Sequence, residues 1–468
     1  MSMEEPQVGG KVRRLRRQRH LAQADLAAAV GISASYLNLI EHNRRRVTVP
    51  LLFKLAGYFG LEPGELVESD ESQIAGDLME AFSDELFADD DVTNQEIRDF
   101  AHANPVAARA VLRLFDRYRQ LSHGRAAAPE AEAGASNHPA TEAVSDFIQE
   151  NANYFPALEA AAERVRADID NTGDGFENGL RAYLRNVFGI EWELASLPHH
   201  MARRLSPNGL VLQVSDILPP ETSVFNVAHF LASRVAAQEM DAIVSDSRLP
   251  QSDAPVLVHN VLASYFAAAL IMPYEPFFRA ARENRYDIER LSRRFDASFE
   301  QVCHRLTTLQ RPGMQGIPLH LVRTDIAGNI SKRFSLSGIS IPRHSGACPR
   351  WNVYTAFLRP GEINVQLSEM PDGEVYFCIA RSLTKGDHRY NAPRRHFSIG
   401  LGCKIAFAKQ LVYSDGIDLT NTSQVIPVGV GCRICPRLDC GQRAHPPADH
   451  RFQLDPETRA ESIYARMG

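Results

Sequence analysis

The stretch LAQADLAAAVGISASYLNLIEHNRR, residues 21–45, decides how the front of this chain folds. Leu26, Ala29 and Val30 recur at helical spacing, with Val12 and Leu15 upstream on the same pattern. Gly31 ends one helix, because a C-terminal cap favours a residue that tolerates positive φ. Ser33 opens the next as its N-cap, and Leu37 and Ile40 form its inner face. Two short helices on a tight glycine turn make a helix-turn-helix. An unspecialised helical bundle is the alternative, and the charge argues against it. Arg13, Arg14, Arg16, Arg17 and Arg19 precede the motif, and Arg44, Arg45 and Arg46 follow it. Such flanks suit phosphate contacts on both sides of a helix inserted in a groove.

The same residues, with the closing LLFKLAGYFGLEPGEL, resemble the lambda-repressor-like, xenobiotic-response-element type of DNA-binding domain. The resemblance implies that Gln23 starts the first helix of the motif and touches the DNA backbone. It puts Ser33, Ala34, Ser35, Tyr36 and Asn38 on or near the exposed side of the recognition helix. Ser and Asn bond base edges or phosphates, and Tyr36 packs on a thymine methyl or bonds a phosphate. Arg44 and Arg45 join them as DNA-binding candidates. The implied partner is double-stranded operator DNA, bound by a homodimer or higher homo-oligomer over half-sites about one helical turn apart.

Outward from this head, the charge changes sign. Residues 1–60 carry ten Lys/Arg against four Asp/Glu, whereas residues 61–150 carry six Arg against twenty Asp/Glu. A net charge of −6 for the 468 residues hides this asymmetry, which marks the front as a polyanion-binding module. The length suggests about three domains at roughly 100–200 residues each. The N-terminus lacks the apolar core of a signal peptide. No run of about 18 apolar residues occurs, so no membrane span is expected. VLASYFAAALIMP (261–273) reads as a buried helix. The expected compartment is the cytoplasm, where seven cysteines are metal-binding, redox or core residues rather than a disulfide framework. Residues 71–90 form an acidic amphipathic helix, 92–121 continue as helix, and the Ala/Gly/Pro/Ser-rich 122–141 is a flexible linker.

The middle, 142–312, is mostly helical, with short strands near FGIEWELA and GLVLQVS. ETSVFNVAHFLASRV (221–235) and LASYFAAALIMPYEPFFRAA (262–281) resemble the IrrE/ImmA-type metallopeptidase frame. That frame carries two His four apart on one helix with an intervening Glu, to hold zinc and activate its water. Here the positions are Phe225, Asn226 and His229, and the downstream carboxylate is replaced by Asn260. The scaffold is expected to be inert and His229 a hydrogen-bonded core residue.

From residue 283 the resemblance narrows. ENRYDIERLSRRFDASFEQVCHRL, GACPRWNVYTAFLRPGEINVQLSEMPDG, LGCKIAFAKQLVYSDGIDL and PVGVGCRICPRLDCGQRAHPP look like the short-chain fatty acyl-CoA-responsive regulators. Those combine a repressor-like head, an inert peptidase-like domain and a cysteine-bearing C-terminal domain. The resemblance implies a role in propionyl-CoA, acetate or glyoxylate metabolism, narrowed to the propionyl-CoA carboxylase route, with an acyl-CoA as effector. Residues 313–430 read as β-rich, from alternation in PLHLVRTD and EINVQL. Lys332 and Arg333 read either as a solvated pair or as a CoA phosphate contact, the former preferred.

Cys432, Cys435, Cys440 and His445 follow the spacing C-x2-C-x4-C-x4-H. One reading is a zinc knuckle with an S₃N ligand set. Another is an iron–sulfur cluster held by the three cysteines and a remote fourth. Cys403 is the first candidate for that fourth ligand, because flanking glycines would let the backbone approach closely, and Cys348 the second. The family resemblance favours iron–sulfur in the 4Fe–4S form. Cys303 and Cys378 read as core residues. A CoA site wants cations and an aromatic face, for which Arg181, Arg185, Arg203 and Tyr265 are the middle-domain candidates.

The expected architecture is multidomain. An all-α helix-turn-helix domain (8–67) precedes a helical bridge (68–121) and the linker. A mainly α, α+β peptidase-like domain (142–312) follows, then a β-rich C-terminal domain (313–468) with a cysteine metal or cluster site. The expected function is a non-enzymatic, DNA-binding transcriptional regulator that senses short-chain acyl-CoA. The alternatives are a redox-only iron–sulfur regulator and, last, a metallopeptidase-type regulator.

Overall fold

A computed structural model describes residues 12, 13, 15, 16, 21, 23–41, 45, 47–59, 71–87, 92–126, 138–171, 175–198, 201–247, 249, 253–343, 346–386, 391, 394–447, 461, 462 and 464. The head contains α1 (Gln23–Val30), α2 (Ala34–Glu41) and α3 (Val49–Phe59). Gly31 takes φ +75 at the turn, and the Ser33 hydroxyl accepts from the Tyr36 amide at 3.1 Å, as an N-cap should. Val12, Leu26, Val30, Leu37, Ile40, Leu55 and Phe59 close a small core of their own.

The bridge is α4 (Glu71–Phe82), α5 (Asn94–Ala103) and α6 (Pro105–Ala126), packed around Ile74, Leu78, Ile97, Leu112 and Phe115. A Thr93/Glu96 capping box starts α5, and Pro105 restarts the chain as α6. The expected linker is helical at both ends, a correction to its 122–141 bounds. α6 runs through Ala126, and α7 (His138–Glu150) begins inside it. Alanine favours helix on one side, and Pro139 fits the first turn on the other. Residues 127–137 lie outside the described residues.

The middle follows with α8 (Pro156–Asp170), α9 (Phe176–Phe188), strands β1 (Glu191–Ala195), β2 (Arg203–Leu205) and β3 (Val211–Ser215), and helices α10 (Pro220–Val235), α11 (Ala237–Asp246) and α12 (Ala254–Ile271). It closes with α13 (Tyr274–Glu283), α14 (Ile288–Phe295) and α15 (Phe299–Leu306). β1 lies parallel and β2 antiparallel to the central β3. α12 is long and apolar enough to cross a membrane, but it is the core helix here, with Leu262, Phe266 and Leu270 fully buried. Burying one such side chain contributes roughly 1.5–3 kcal/mol.

The back region is a six-stranded sheet, in the order β5-β4-β8-β7-β6-β9. Its strands are β4 (His320–Asp325), β5 (Ile330–Ser335), β6 (Asn364–Glu369), β7 (Val375–Gly386), β8 (Arg394–Lys404) and β9 (Val425–Pro427). One face of this sheet, through Leu321, Phe377, Ile379, Ile399 and Leu401, joins the core that begins at Val144. The other face covers Val322, Ile341, Trp351, Val353 and Cys348. The middle and back regions therefore share one continuous core.

Candidate functional site

The head exposes Ser33, Ala34 and Asn38, while Tyr36 is half-buried. The side chain of Ser35 and all of Arg44 lie outside the described residues. The Arg45 guanidinium stands 5.9 Å from the Tyr36 ring centroid. Gln23 donates to Glu41 at 2.9 Å and to Asn38 at 3.3 Å. Glu41 is nearly buried and also takes two bonds from Arg16, at 2.6 and 2.9 Å. Gln23 thus ties the two motif helices together through Glu41, a partner the sequence reading did not name.

The cysteine loop is built around Arg443, which is only 4% exposed. Its guanidinium donates to the carbonyls of Cys432, Cys435 and Arg437 at 2.6, 2.7 and 2.8 Å. Arg437 fastens the loop to β6 through the Glu369 carboxylate at 2.8 Å. The Trp351 indole donates to Gly429 at 2.9 Å, and the Cys348 amide to Val430 at 2.9 Å. Those bonds lay the 346–351 segment against the loop. Cys348, Cys432, Cys435 and Cys440 then line one half-open cavity, with Pro349, Gly431, Gln442 and Arg443.

Cys403, the expected fourth member, is elsewhere, and this is a correction. It is fully buried in β8, opposite Phe377 of β7 and beside Cys378. Its neighbouring glycines serve the sheet. A Cβ on Gly402 would stand 2.6 Å from the His320 ring, and one on Gly400 would stand 2.5 Å from Val353. His445 is exposed and does not line the cysteine cavity. Cys303 and Cys378 are core residues, as read.

The four thiols fit a soft metal or an iron–sulfur cluster by donor chemistry. Gly429 supplies a cradle, since a Cβ there would meet the Cys435 sulfur at 2.8 Å. The Ala444 amide points at the Cys432 sulfur at 3.4 Å. They share a cavity without closing into a coordination shell. Among the described residues, no three His, Cys, Asp or Glu side chains converge as a metal-ligating set. Burial pushes the Cys348 and Cys435 thiols up, with Arg443 and Arg437 pulling Cys435 the other way.

In the middle region, Arg203 of β2 donates to the Asn226 carbonyl and lies 2.8 Å from His229 Nδ1. A guanidinium only donates, so Nδ1 accepts and Nε2 carries the proton. That proton goes to the Asn260 Oδ1, 3.1 Å away. Burial, then the Arg203 charge, lowers the His229 pKa, so the ring is neutral. The proposed CoA residues sit in separate surroundings. Arg181 lies 3.8 Å over the Trp192 ring and bonds Glu177 at 3.0 Å. Arg185 is 4.0 Å from Glu191. Tyr265 is buried and donates to Glu159 at 2.6 Å, beneath the buried Glu159–Arg305 pair. Arg333 is paired with Glu142, and Lys332 stands 3.6 Å from Glu300.

A second buried hub had no sequence signal. Arg343 donates through its amide to Glu80 at 2.6 Å and through its side chain to Asp77 and Asp146, and Arg333 joins through Glu142. This ties the bridge helix α4 and α7 to the strand-rich region. Asp77 and Glu80 lie more than 250 positions before Arg343.

A helix-turn-helix head, an α/β middle and a sheet-rich C-terminal region together define a DNA-binding transcriptional regulator. Three segments match known families: helix-turn-helix over 12–66, IrrE N-terminal-like domain over 186–307, and short-chain fatty acyl coenzyme A regulator, C-terminal, over 308–464. The chain is 37% identical to the HTH-type transcriptional regulator RamB of Mycobacterium tuberculosis, over 99% of each chain. It is 36% identical to PrpR of the same organism, over 98% of this chain and 95% of that one. A propionyl-CoA carboxylase regulator of Cereibacter sphaeroides is 38% identical over 96% of each chain. A solved Mycobacterium tuberculosis transcriptional regulator aligns with a TM-score of 0.66 at 40% identity, covering 70% of this chain and 99% of that one. The chain belongs to the short-chain fatty acyl-CoA regulator family.

Proposed function

We propose that the chain binds operator DNA in the cytoplasm as a dimer or higher homo-oligomer, through residues 8–67, and senses a short-chain acyl-CoA of propionyl-CoA or acetyl-CoA metabolism. The observation that carries this reading is the near-full-length similarity to a propionyl-CoA carboxylase regulator. The effector acts through its different affinities for two arrangements of the molecule. The Arg343 hub supports a route between them, because it joins the bridge behind the head to the loop that also carries Cys348.

We assign Cys348, Cys432, Cys435 and Cys440 as ligands of a 4Fe–4S cluster, with zinc as the alternative occupant of the same four thiols. A bound cluster supplies a tie between the 346–351 segment and the 428–443 loop, and a redox-responsive centre. Arg443 holds the loop carbonyls, and Gly429 leaves room for the Cys435 sulfur. We also infer that the middle domain has no peptidase activity. Phe225 and Asn226 cannot ligate zinc and activate its water as His and Glu do, and Arg203 fixes the His229 tautomer whose Nε2 is already protonated.

The test is thermal unfolding of the anaerobically purified chain with propionyl-CoA, acetyl-CoA and free CoA. A thioester that binds the folded state raises Tm in a concentration-dependent way. No shift with either thioester contradicts the sensor.

A further inference from the structure

The sheet carries a projection that neither the head nor the cysteine loop uses. β6 pairs with β7 no further than Ala380, and β4 pairs with β8 no further than Phe397. β7 and β8 continue to pair with each other as far as Gly386 and Arg394. Residues 384–386 and 394–396 therefore form a two-stranded ribbon beyond the sheet. Thr384, Lys385, Gly386, Arg394, Arg395 and His396 are all exposed. An isolated two-stranded ribbon is marginally stable in water, and this one has no apolar side chain to bury at these positions.

Its charge is one-sided. From 384 to 396 the sequence has Lys385, Arg389, Arg394 and Arg395 against Asp387 alone, in a chain whose net charge is −6. Lys385 lies directly opposite Arg395 in the register. Like charges directly across strands are destabilising. Among the described residues, Arg394 and Arg395 form no ion pair. The same face continues inward through the register to Arg323 of β4 and Lys332 of β5. Glu300 of α15 is the carboxylate that Arg323, Lys332 and Lys385 share. Burial alone would raise the Glu300 pKa, but His304 and the lysines hold it well below the usual range. Beyond the three cations that share Glu300, the ribbon carries Arg395 on that face and Arg394, its neighbour in the strand, on the opposite one, so an arginine without an ion pair among the described residues stands on each side of a narrow ribbon. A two-stranded ribbon fits the major groove or lies along its phosphates.

We propose that the β7–β8 ribbon is a second nucleic-acid contact, holding the phosphate backbone of the duplex that the helix-turn-helix head reads. The proposal rests on the DNA-binding function of the chain and adds a surface to it. The experiment is a salt titration of duplex affinity on the full-length protein, for the wild type, Arg394→Ala/Arg395→Ala, and Arg394→Lys/Arg395→Lys. Losing two phosphate contacts makes the plot of log affinity against log salt shallower by about 1.8, and weakens operator and non-operator duplex alike, roughly tenfold or more at low salt. The Lys/Lys variant keeps the slope. An unchanged slope and affinity in the Ala/Ala variant overturns the proposal. So does an unchanged slope with weaker propionyl-CoA binding, which makes the ribbon a contact for the effector's phosphates. Asn38→Ala reads the head separately, by the ratio of operator to non-operator affinity. A wild type with no operator preference sinks the head's reading while the ribbon's slope remains measurable on any duplex.

Discussion

At the residue scale, the cysteines show what spacing conveys and what it does not. Three of the four cavity thiols lie within nine residues and were readable as a group. The fourth, Cys348, ranked only second behind Cys403, because it arrives from a segment more than eighty positions earlier, brought in by backbone bonds to Val430 and Gly429. The glycines around Cys403 pointed the wrong way, since they make room for His320 and Val353. Cys348→Ser is therefore expected to lose most of the bound metal, whereas Cys403→Ser retains it, as read by iron, zinc and acid-labile sulfide analysis. Equal metal in both variants contradicts the assignment. His320 gives a second test. Burial depresses its pKa from 6.5 to about 3. A folded-state pKa below the unfolded one contributes stability that is complete above the unfolded value and is lost as pH falls from 6.5 towards 3. His320→Gln is expected to flatten that part of the pH–stability profile in denaturant titrations. An unflattened profile puts the acid sensitivity elsewhere.

At the element scale, the helix-turn-helix was legible because its determinants are local. Gly31 and Ser33 act on their nearest neighbours in the chain, so a one-dimensional reading sees them. The joint between bridge and sheet was not legible, because Asp77, Glu142, Asp146 and Arg343 come from three distant segments. Asp77 is 2% exposed, and Arg343 stands beside it. Arg343→Ala leaves a buried acidic cluster short of its principal cation, which typically costs about 3–5 kcal/mol. α4 also packs closely here, since a Cβ on Gly76 would stand 3.0 Å from the Ser340 hydroxyl. Arg343→Ala is expected to lower the first thermal unfolding transition and to weaken the effector's influence on DNA binding, while leaving intrinsic operator affinity near the wild type. Full effector response in a destabilised Arg343→Ala protein contradicts this route.

At the scale of the whole molecule, the order of head, peptidase-like middle and β-rich back was legible because each segment carries its own motif. The continuity of the core from Val144 to Leu411 was not, since burial across a segment boundary leaves no mark in either segment alone. Under the proposed function that continuity matters, because a middle and back that share one core are expected to respond to an effector as one body. The head and the bridge have cores of their own, and under the proposed function the bridge, which follows the head in sequence, is the expected place for such a response to reach the DNA-binding module. The account rests on coupling between an acyl-CoA thioester and operator affinity. The most direct measurement is operator affinity of the anaerobically purified, metal-loaded chain at fixed salt, with saturating propionyl-CoA, acetyl-CoA, free CoA or nothing. The account predicts that a short-chain thioester shifts the operator Kd by about 5–150-fold and that free CoA shifts it less, with non-operator affinity moving little. An operator Kd that is the same with every thioester as with none, on protein shown to hold its metal, contradicts it.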